Sequence, residues 1–194
     1  MGANVYLEDV QSYGYKTETT GTGIVQGIVE KSGKRTAIRA YGISPGTLTA
    51  NAFFMQVLTA TTTAAAIASG GSLALSLSAT TSPVLASNDY IALKQDNGTT
   101  HFSKIATGTY QNFSLSTATT DTVAAGNTAW FFGASSDTGH FKIVLTASTQ
   151  KTGALDGGIF YAPAKGYPMI AYHNNDAAGT DGSIDYVTVD YINK

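Results

Sequence analysis

The chain has three histidines, and imidazole is a common zinc ligand and proton carrier near neutral pH. His101 and His140 each begin a His-Phe dipeptide, and His173 precedes the pair Asn174-Asn175. Nothing in their spacing brings the three imidazoles together. A solvated or hydrogen-bonded strand histidine is therefore the favoured interpretation, and we expect no metal site.

Paired carboxylates would permit glycoside hydrolysis, in which one group acts as acid and the other as base or nucleophile. The candidates are Asp181, Asp185 and Asp190, or Glu18 with Glu30. Asp185 and Asp190 have opposite parity in one predicted strand, so their side chains should point to opposite faces. This argues against a catalytic pair.

Oxygen ligands for calcium are concentrated in residues 174 to 182, with the sequence NNDAAGTDG. This segment lacks the ligand alternation and the terminal glutamate of an EF-hand. A turn between two strands accounts for its Asn, Asp and Gly residues. A turn is thus the favoured interpretation, and calcium binding stays open.

The motifs of common enzyme classes are absent from the sequence. It contains no G-x-S-x-G nucleophile elbow, no P-loop and no H-E-x-x-H zinc motif. A cysteine nucleophile and disulfides are excluded because the chain has no cysteine. We expect a protein that is not an enzyme and uses no cofactor.

Three of the eleven tyrosines, Tyr6, Tyr13 and Tyr15, crowd the first residues of the chain. Tyrosine is enriched at protein interfaces because it combines apolar area with a hydroxyl group. We expect residues 1 to 20 to form an N-terminal arm that docks on a neighbouring subunit through these tyrosines. An arm packed on its own domain, or a sugar-binding platform, are the alternatives.

The hydrophobic pattern is that of strands along nearly the whole chain. Residues 24 to 30 and 36 to 43 flank Lys31-Ser32-Gly33-Lys34, which is a hairpin signal. Only residues 61 to 69 have helical propensity, and Thr and Gly interrupt it. About ten short strands with regularly spaced turns predict an all-β fold. We expect a single-domain antiparallel β-sandwich of the jelly-roll type over residues 21 to 194.

Two segments, residues 80 to 105 and 119 to 144, align without gaps. The matched residues are Thr80, Thr81, Val84, Ala86, Asn88, Thr99, His101 and Phe102 with Thr119, Thr120, Val123, Ala125, Asn127, Thr138, His140 and Phe141. The alignment predicts two similar hairpins, with His101 and His140 at equivalent positions. Chance is the alternative, because Thr and Ala are common in this chain.

The surface should carry little charge. Charged residues make up 12% of the chain, about half the usual share, and the net charge is −2. Such a surface suits permanent contact with copies of the chain or with a partner, because interface cores are depleted in charge. The neutral surface of an extracellular or halotolerant β-protein is an equally good explanation.

The charge and hydropathy patterns also bear on partners. The cations Lys31, Lys34, Arg35 and Arg39 cluster around one turn, which we interpret as the solvated end of a hairpin. With a net charge of −2, we expect no nucleic-acid partner.

The first residues, MGANVYLEDVQS, show no signal peptide, and no stretch is apolar enough to span a membrane. We therefore expect no membrane partner.

Two parts of the sequence resemble small β-rich structural proteins of tailed-phage virions. The first is NDYIAL followed by DNGTTHF, within residues 88 to 102. The second comprises GYPMI, NN and GSIDYVTVDYI, within residues 166 to 192. The resemblance implies a capsid decoration (cement) protein, or another head or tail accessory protein, without catalytic residues.

The resemblance further implies the major capsid protein or other virion subunits as partners. The location would be the virion of a bacteriophage, assembled in the host cytoplasm. The alternative function is a receptor- or carbohydrate-binding β-sandwich module on a virion or cell surface. A hydrolase with an unrecognised site is a third class.

We expect the protein to self-associate, as a trimer or a dimer. The reasons are the low charge and the final strand, residues 183 to 192, which carries apolar groups on both faces. Light scattering at tens of micromolar protein should give a mass above that of the monomer. A monomeric mass would count against tight self-association.

Overall fold

The computed structural model describes residues 10–14, 24–46, 51–70, 74–79, 85–109, 112–134, 137–154, 160–173 and 182–193. Within these ranges every regular element is a β-strand, and no helix is present. The all-β prediction is confirmed. The described residues accordingly contain no helix long and apolar enough to cross a membrane.

The described residues form fifteen strands, against about ten predicted. They are β1 (Val10–Gly14), β2 (Ile24–Ile28), β3 (Arg35–Ser44), β4 (Asn51–Gln56), β5 (Thr59–Thr62), β6 (Ala74–Ser76), β7 (Tyr90–Lys94), β8 (Thr100–Thr109), β9 (Asn112–Leu115), β10 (Thr128–Gly133), β11 (Phe141–Val144), β12 (Lys151–Ala154), β13 (Phe160–Lys165), β14 (Met169–His173) and β15 (Ser183–Ile192). The difference includes short polar strands such as β5 and β12. Four residues that are only polar or small are too few to show a hydrophobic alternation.

The strands group into two compact units, whereas the sequence predicted one domain over residues 21 to 194. Unit 1 comprises Met1–Gln56 and His140–Lys194, and unit 2 comprises Val57–Gly139. Unit 2 is therefore inserted in the chain between β4 and β11. A hydrophobic pattern predicts strands, but it does not say which of two cores each strand enters.

Unit 1 is a sandwich of two antiparallel sheets. The first sheet has the order β1-β15-β3-β12. The strand β13 pairs with residues 35–38 of β3, next to residues 40–43, which pair with β12. The second sheet has the order β11-β4-β14-β2. Without β13, these eight strands have the order of a jelly roll, the fold of two interlocked Greek keys. The predicted jelly-roll sandwich is confirmed.

The core of unit 1 lies between these sheets. Tyr41 and Val189 from the first sheet and Phe54 and Met169 from the second are buried in one apolar cluster. The rings of Tyr41 and Phe54 meet edge to face, with their centroids 5.3 Å apart. Burying each large apolar side chain stabilises the fold by roughly 1.5–3 kcal/mol. This cluster therefore holds the two sheets together.

Two glycines allow tyrosine rings to lie on the neighbouring strand. Gly153 of β12 lies opposite Tyr41, and Gly42 of β3 lies opposite Tyr186 of β15. A Cβ atom at Gly153 would stand 2.5 Å from the Tyr41 ring, and one at Gly42 would stand 2.4 Å from the Tyr186 ring. Aromatic cover of a cross-strand glycine helps to fix strand register.

Unit 2 is built on one six-stranded antiparallel sheet, with the order β5-β10-β7-β8-β9-β6. Its two ends meet, because a bridge joins Thr63 to Leu77 and the amide of Ser78 donates to the Thr62 carbonyl at 2.9 Å. The sheet thus closes on itself, which protects its outermost strands. Its apolar core contains twelve buried side chains from the described part of the unit, among them Phe131.

The two aligned segments do not form equivalent hairpins. In the first segment, β7 and β8 form a hairpin across the turn that contains Gly98. In the second segment, β10 pairs with β7 and β5 in unit 2, whereas β11 pairs with β4 in unit 1. The prediction that His101 and His140 occupy equivalent positions is therefore wrong. Pairing partners are chosen by the whole fold, which an alignment of two segments does not show.

The aligned segments do share the turn that leads into β7 and β10. Residues 86–89 and 124–127 each form a turn in which the last amide donates to the first carbonyl at 3.2 Å. The third residue has a positive φ in both turns, 73° at Asn88 and 91° at Gly126. Asn and Gly tolerate this conformation best. These turns are one residue out of step with the ungapped alignment, which matches Asn88 with Asn127, so they do not account for the aligned residues.

We expect unit 1 to fold without unit 2. The chain leaves unit 1 after β4 and returns at β11, and these strands pair directly, with Phe54 opposite Phe141. Replacing residues 57 to 139 by a short Asn-Gly turn should therefore leave a β4–β11 hairpin. Circular dichroism should show strand structure with a cooperative thermal transition.

The matched control is a deletion of residues 57 to 127, which keeps β10 but removes β5 and β7. This variant should aggregate, because β10 has lost both pairing partners. An unfolded product from the complete excision would show that unit 1 depends on unit 2.

Candidate functional site

The three histidines have separate environments. His101 lies in β8 of unit 2, and its Nε2 atom is 3.2 Å from the carbonyl oxygen of Thr117. His140 is half-buried just before β11 of unit 1, and His173 is fully buried at the end of β14. The part of the chain that the structure describes has no group of three His, Cys, Asp or Glu residues placed to hold a metal ion.

His173 is a polar side chain within an apolar part of unit 1. Its neighbours across the strands are Ile24 of β2 and Ala52 of β4. Neither ring nitrogen has a hydrogen-bond partner among the described residues. Burial lowers the pKa of His173, because the charged imidazolium would lose its hydration. The imidazole is therefore neutral near pH 7 and serves as packing.

The carboxylate of Asp185 joins three segments of unit 1. It accepts hydrogen bonds from Ser183 Oγ at 2.5 Å, Ser44 Oγ at 2.6 Å and Gln150 Nε2 at 2.6 Å. Burial raises the pKa of Asp185, but these three hydrogen bonds outweigh it and hold the pKa below its ordinary value. Asp185 thus ties the ends of β3 and β15 to the segment before β12.

Asp190, farther along β15, has a different partner. Its Oδ1 atom lies 3.8 Å from Nη1 of Arg39. Burial raises the pKa of Asp190, and the Arg39 guanidinium opposes part of that rise. Asp185 and Asp190 therefore belong to separate interactions. The other sequence candidates, Glu18 and Asp181, lie outside the described residues.

A third carboxylate, Asp96, holds the turn between β7 and β8 in unit 2. It accepts hydrogen bonds from Thr122 Oγ1 at 2.7 Å, from the Ala124 amide at 3.0 Å and from Asn127 Nδ2 at 2.8 Å. These bonds lower the pKa of Asp96. The sequence indicated only a turn here, because Thr122, Ala124 and Asn127 are distant in the chain.

A shallow groove of about 350 Å³ lies on β6, β8 and β9 of unit 2. The described residues that line it are uncharged and mostly small: Ala65, Ala66, Ala74, Leu75, Ser76, Thr107, Gly108, Asn112, Phe113 and Ser114. The volume is within the range of small-ligand sites. The lining offers hydroxyl and amide groups, but none of these residues has an ionisable side chain that could act as an acid or a base.

The predicted partner-binding tyrosines fall mostly outside the described residues. Tyr6 and Tyr15 are not described, and Tyr13 lies in β1, opposite Val187 of β15. The described part of the predicted arm is therefore an edge strand of the first sheet of unit 1. Docking of the arm on a neighbour stays a prediction. The candidate calcium segment also lies outside the described residues, apart from Gly182.

Comparisons with known proteins do not assign a family. No protein-family model and no curated protein matches the chain. A structure of infectious bursal disease virus, Gt strain, is 14% identical, with 95% of this chain and 41% of that chain covered and a TM-score of 0.15. The crystal structure of the VP2 subviral particle of infectious bursal disease virus is also 14% identical. The match covers 95% of this chain and 42% of that chain, with a TM-score of 0.15. The chain spans about two fifths of these capsid proteins, and such TM-scores establish no shared fold.

We expect His173 to make unit 1 less stable in mild acid. The pKa of His173 in the folded chain lies below the ordinary 6.5. Between these two pKa values, His173 therefore binds more protons in the unfolded chain than in the folded chain. The free energy of unfolding should therefore lose nothing to His173 above about pH 6.5, and it should decrease as the pH drops towards the pKa of folded His173. Urea unfolding of the full chain from pH 8 to pH 5 measures this slope.

Replacing His173 by leucine should remove that slope and leave stability at pH 7 equal or higher, because an unpaired buried imidazole is lost. The comparison variant His101→Leu should retain the His173 share of the slope and lose only the share of His101, because burial lowers the pKa of His101 as well. An unchanged slope in His173→Leu would assign the acid sensitivity to another group.

Proposed function

We propose that this chain is a non-enzymatic structural protein of a virus particle, of the type that decorates and stabilises a phage capsid. The jelly-roll strand order of unit 1 carries the proposal. Eight-stranded jelly rolls build virus capsids, although lectins and cupins also use them. Because a fold alone does not determine function, the proposal also needs support from particular residues.

The use of the polar side chains supports a structural role. Asp96 and Asp185 accept three hydrogen bonds each, and all of the donors except Ser183 are distant in the chain. Asp190 faces Arg39. Asp96 and Asp185 therefore stabilise turns and strand ends, and the two sheets of unit 1 enclose an apolar cluster. Such a protein acts through its surface.

The surface of unit 1 offers an edge for contacts. β11 is the last strand of the second sheet, and Val144 on it is 67% exposed. On β12 of the first sheet, three of the four residues are exposed. Strand edges can pair with another chain, and an exposed apolar side chain adds contact area. With few charges on the chain, neighbouring copies repel each other weakly.

A decoration protein stabilises a shell because it binds the assembled lattice and not the separated subunits. The partners in this proposal are the major capsid protein or other virion subunits, with trimeric or dimeric association of the chain itself. Neighbours on a shell are held at high effective concentration, so individually weak contacts suffice. The arm with Tyr6, Tyr13 and Tyr15 is one proposed contact.

Mixing the full chain with bare phage capsids tests the proposal. We expect saturable binding, and a shell that dissociates at a higher temperature once it is covered. Removing residues 1 to 9, which deletes Tyr6 and keeps β1, should weaken binding about tenfold if Tyr6 is an anchor. The circular dichroism spectrum should stay unchanged. Absence of binding by the full chain would reject the decoration function.

The groove of unit 2 favours one second candidate, the carbohydrate-binding module. Its hydroxyl and amide groups and its lack of charge suit a neutral sugar. A glycan array, with Ala74→Trp as a variant that fills the groove, tests this function. Saturable glycan binding that the variant abolishes, together with no capsid binding, would favour this function over decoration.

A further inference from the structure

One edge of the second sheet of unit 1 has the features of a strand-pairing surface. β11 is the last strand of that sheet, and among the described residues it pairs with β4 alone. The outer side of an edge strand presents backbone N–H and C=O groups that can pair with a further strand. Three large apolar side chains are exposed in the described part of the chain, and Val144 is the most exposed of them. It is also the only one of the three that lies in an edge strand.

The residues of this edge alternate between two faces. Ile143 and Leu145 belong to the apolar core of unit 1, and Phe141 packs against it. Lys142 and Val144 are exposed on the outer face. Read in either direction from Ile143, the order of faces is the same. The strand can therefore pair with an antiparallel copy of itself and keep each face continuous across the join, because residues directly opposite each other point to the same face.

The position of the two-fold axis decides which residues lie opposite each other. With the axis at Lys142, two lysines would be directly opposite, and like charges in that arrangement are destabilising. With the axis at Val144, the pairing would run past the end of β11 into the turn where Thr146 bridges Thr149. An axis at Ile143 keeps the whole of β11 paired and separates the lysines. This register is therefore the favoured one.

We propose that two copies of the chain join edge to edge, with β11 antiparallel to β11 of the second copy and Ile143 opposite Ile143. In this register Lys142 of each copy lies opposite Val144 of the other. The alkyl part of the lysine can cover the exposed valine while its ammonium group stays in water. The second sheets of the two copies then form one continuous sheet. This inference stands apart from the decoration function, because it concerns a contact of the chain with itself.

A second copy is the occupant that this edge matches without further conditions. An unrelated strand would have to bring the same alternation of faces, whereas a copy has it by identity. Lysine on an edge strand commonly keeps edges apart. Here the favoured register places a valine, and not a second charge, opposite each Lys142. The chain carries few charges, so two copies repel each other weakly.

The contact is small, and its test must allow for that. Five residues a side is fewer than the roughly 20–30 of a standard interface, so this contact alone gives a weak dimer. Cysteine cross-linking traps weak contacts, and the chain has no cysteine of its own. Opposite Cα atoms in antiparallel strands are about 4.5–5.5 Å apart, which suits a disulfide.

The first experiment mixes the full chain carrying Lys142→Cys with the full chain carrying Val144→Cys in a glutathione redox buffer. We expect a covalent heterodimer, identified by mass, to form at least about tenfold faster than in the control mixture, because pairing raises the effective concentration of the two thiols. The control mixes Thr152→Cys with Ala154→Cys. These residues have the same spacing and are also exposed, on the strand β12 of the first sheet.

The single variants report the register. Lys142→Cys alone or Val144→Cys alone should form homodimers more slowly than the mixture forms the heterodimer. The reason is that diagonal Cα atoms are about 7–8 Å apart, too far for an unstrained disulfide. A heterodimer that forms no faster than the control overturns the inference. A homodimer that forms faster than the heterodimer overturns the register and with it the inference.

The second experiment uses two charge substitutions at one exposed position and needs no cysteine. Val144→Lys places a like charge opposite Lys142 of the second copy, and it should weaken self-association at least about tenfold. Val144→Glu places an opposite charge there and should associate at least as well as the unchanged chain. Analytical ultracentrifugation over a concentration series measures both, and circular dichroism checks that both are folded.

Equal effects of the lysine and the glutamate substitution would overturn the inference, because the proposed register requires them to differ. Neither experiment contains a capsid, so the two proposals fail separately. A chain that does not pair through β11 can still bind a shell, and a chain that binds no shell can still pair through β11.

Discussion

The pairing of β3 with β15 is the interaction on which the rest of unit 1 depends. The two strands, each of ten residues, pair from Ser183 opposite Ser44 to Ile192 opposite Arg35, with register shifts between Ile184 and Tyr186 and between Thr188 and Val189. At the end of this ladder where Ser183 lies opposite Ser44, the carboxylate of Asp185 accepts its three hydrogen bonds. At the other end, Arg35 Nε donates to the Ala162 carbonyl of β13. One ladder therefore places both the structural carboxylate of Asp185 and the side chain that ties β13 to β3.

This ladder joins residues far apart in the chain, and its formation must offset the entropy of closing that long loop. The insertion of unit 2 lengthens the loop, but the added cost is small because loop entropy grows only slowly with length. The pairing of β4 with β11 holds the two points of insertion in adjacent strands. Unit 2 meanwhile buries its own apolar cluster and closes its own sheet. Each unit thus has the core that an independent domain needs.

The chemical groups that drew attention in the sequence are mostly structural in the fold. Asp96 and Asp185 hold turns and strand ends, and His173 fills space in a sheet. The surfaces that remain include a neutral groove in unit 2 and a strand edge with Val144 in unit 1. We propose these surfaces as contacts with partners. They are the reason for proposing a role in assembly.

The sequence by itself determined the all-β class and the local turns, and it predicted a jelly-roll sandwich without the pairing of its strands or the second unit. Strand alternation, and the positive φ available to residues such as Asn88 and Gly126, depend only on near neighbours in the chain. Tertiary structure alone decided which strands pair. It placed β10 beside β7 but sent β11 to another unit, and so separated His101 from His140. It also brought Lys165 to Arg35 and Thr122 to Asp96. Such contacts join distant residues, and their energies depend on the packing of the whole core, which no local pattern records.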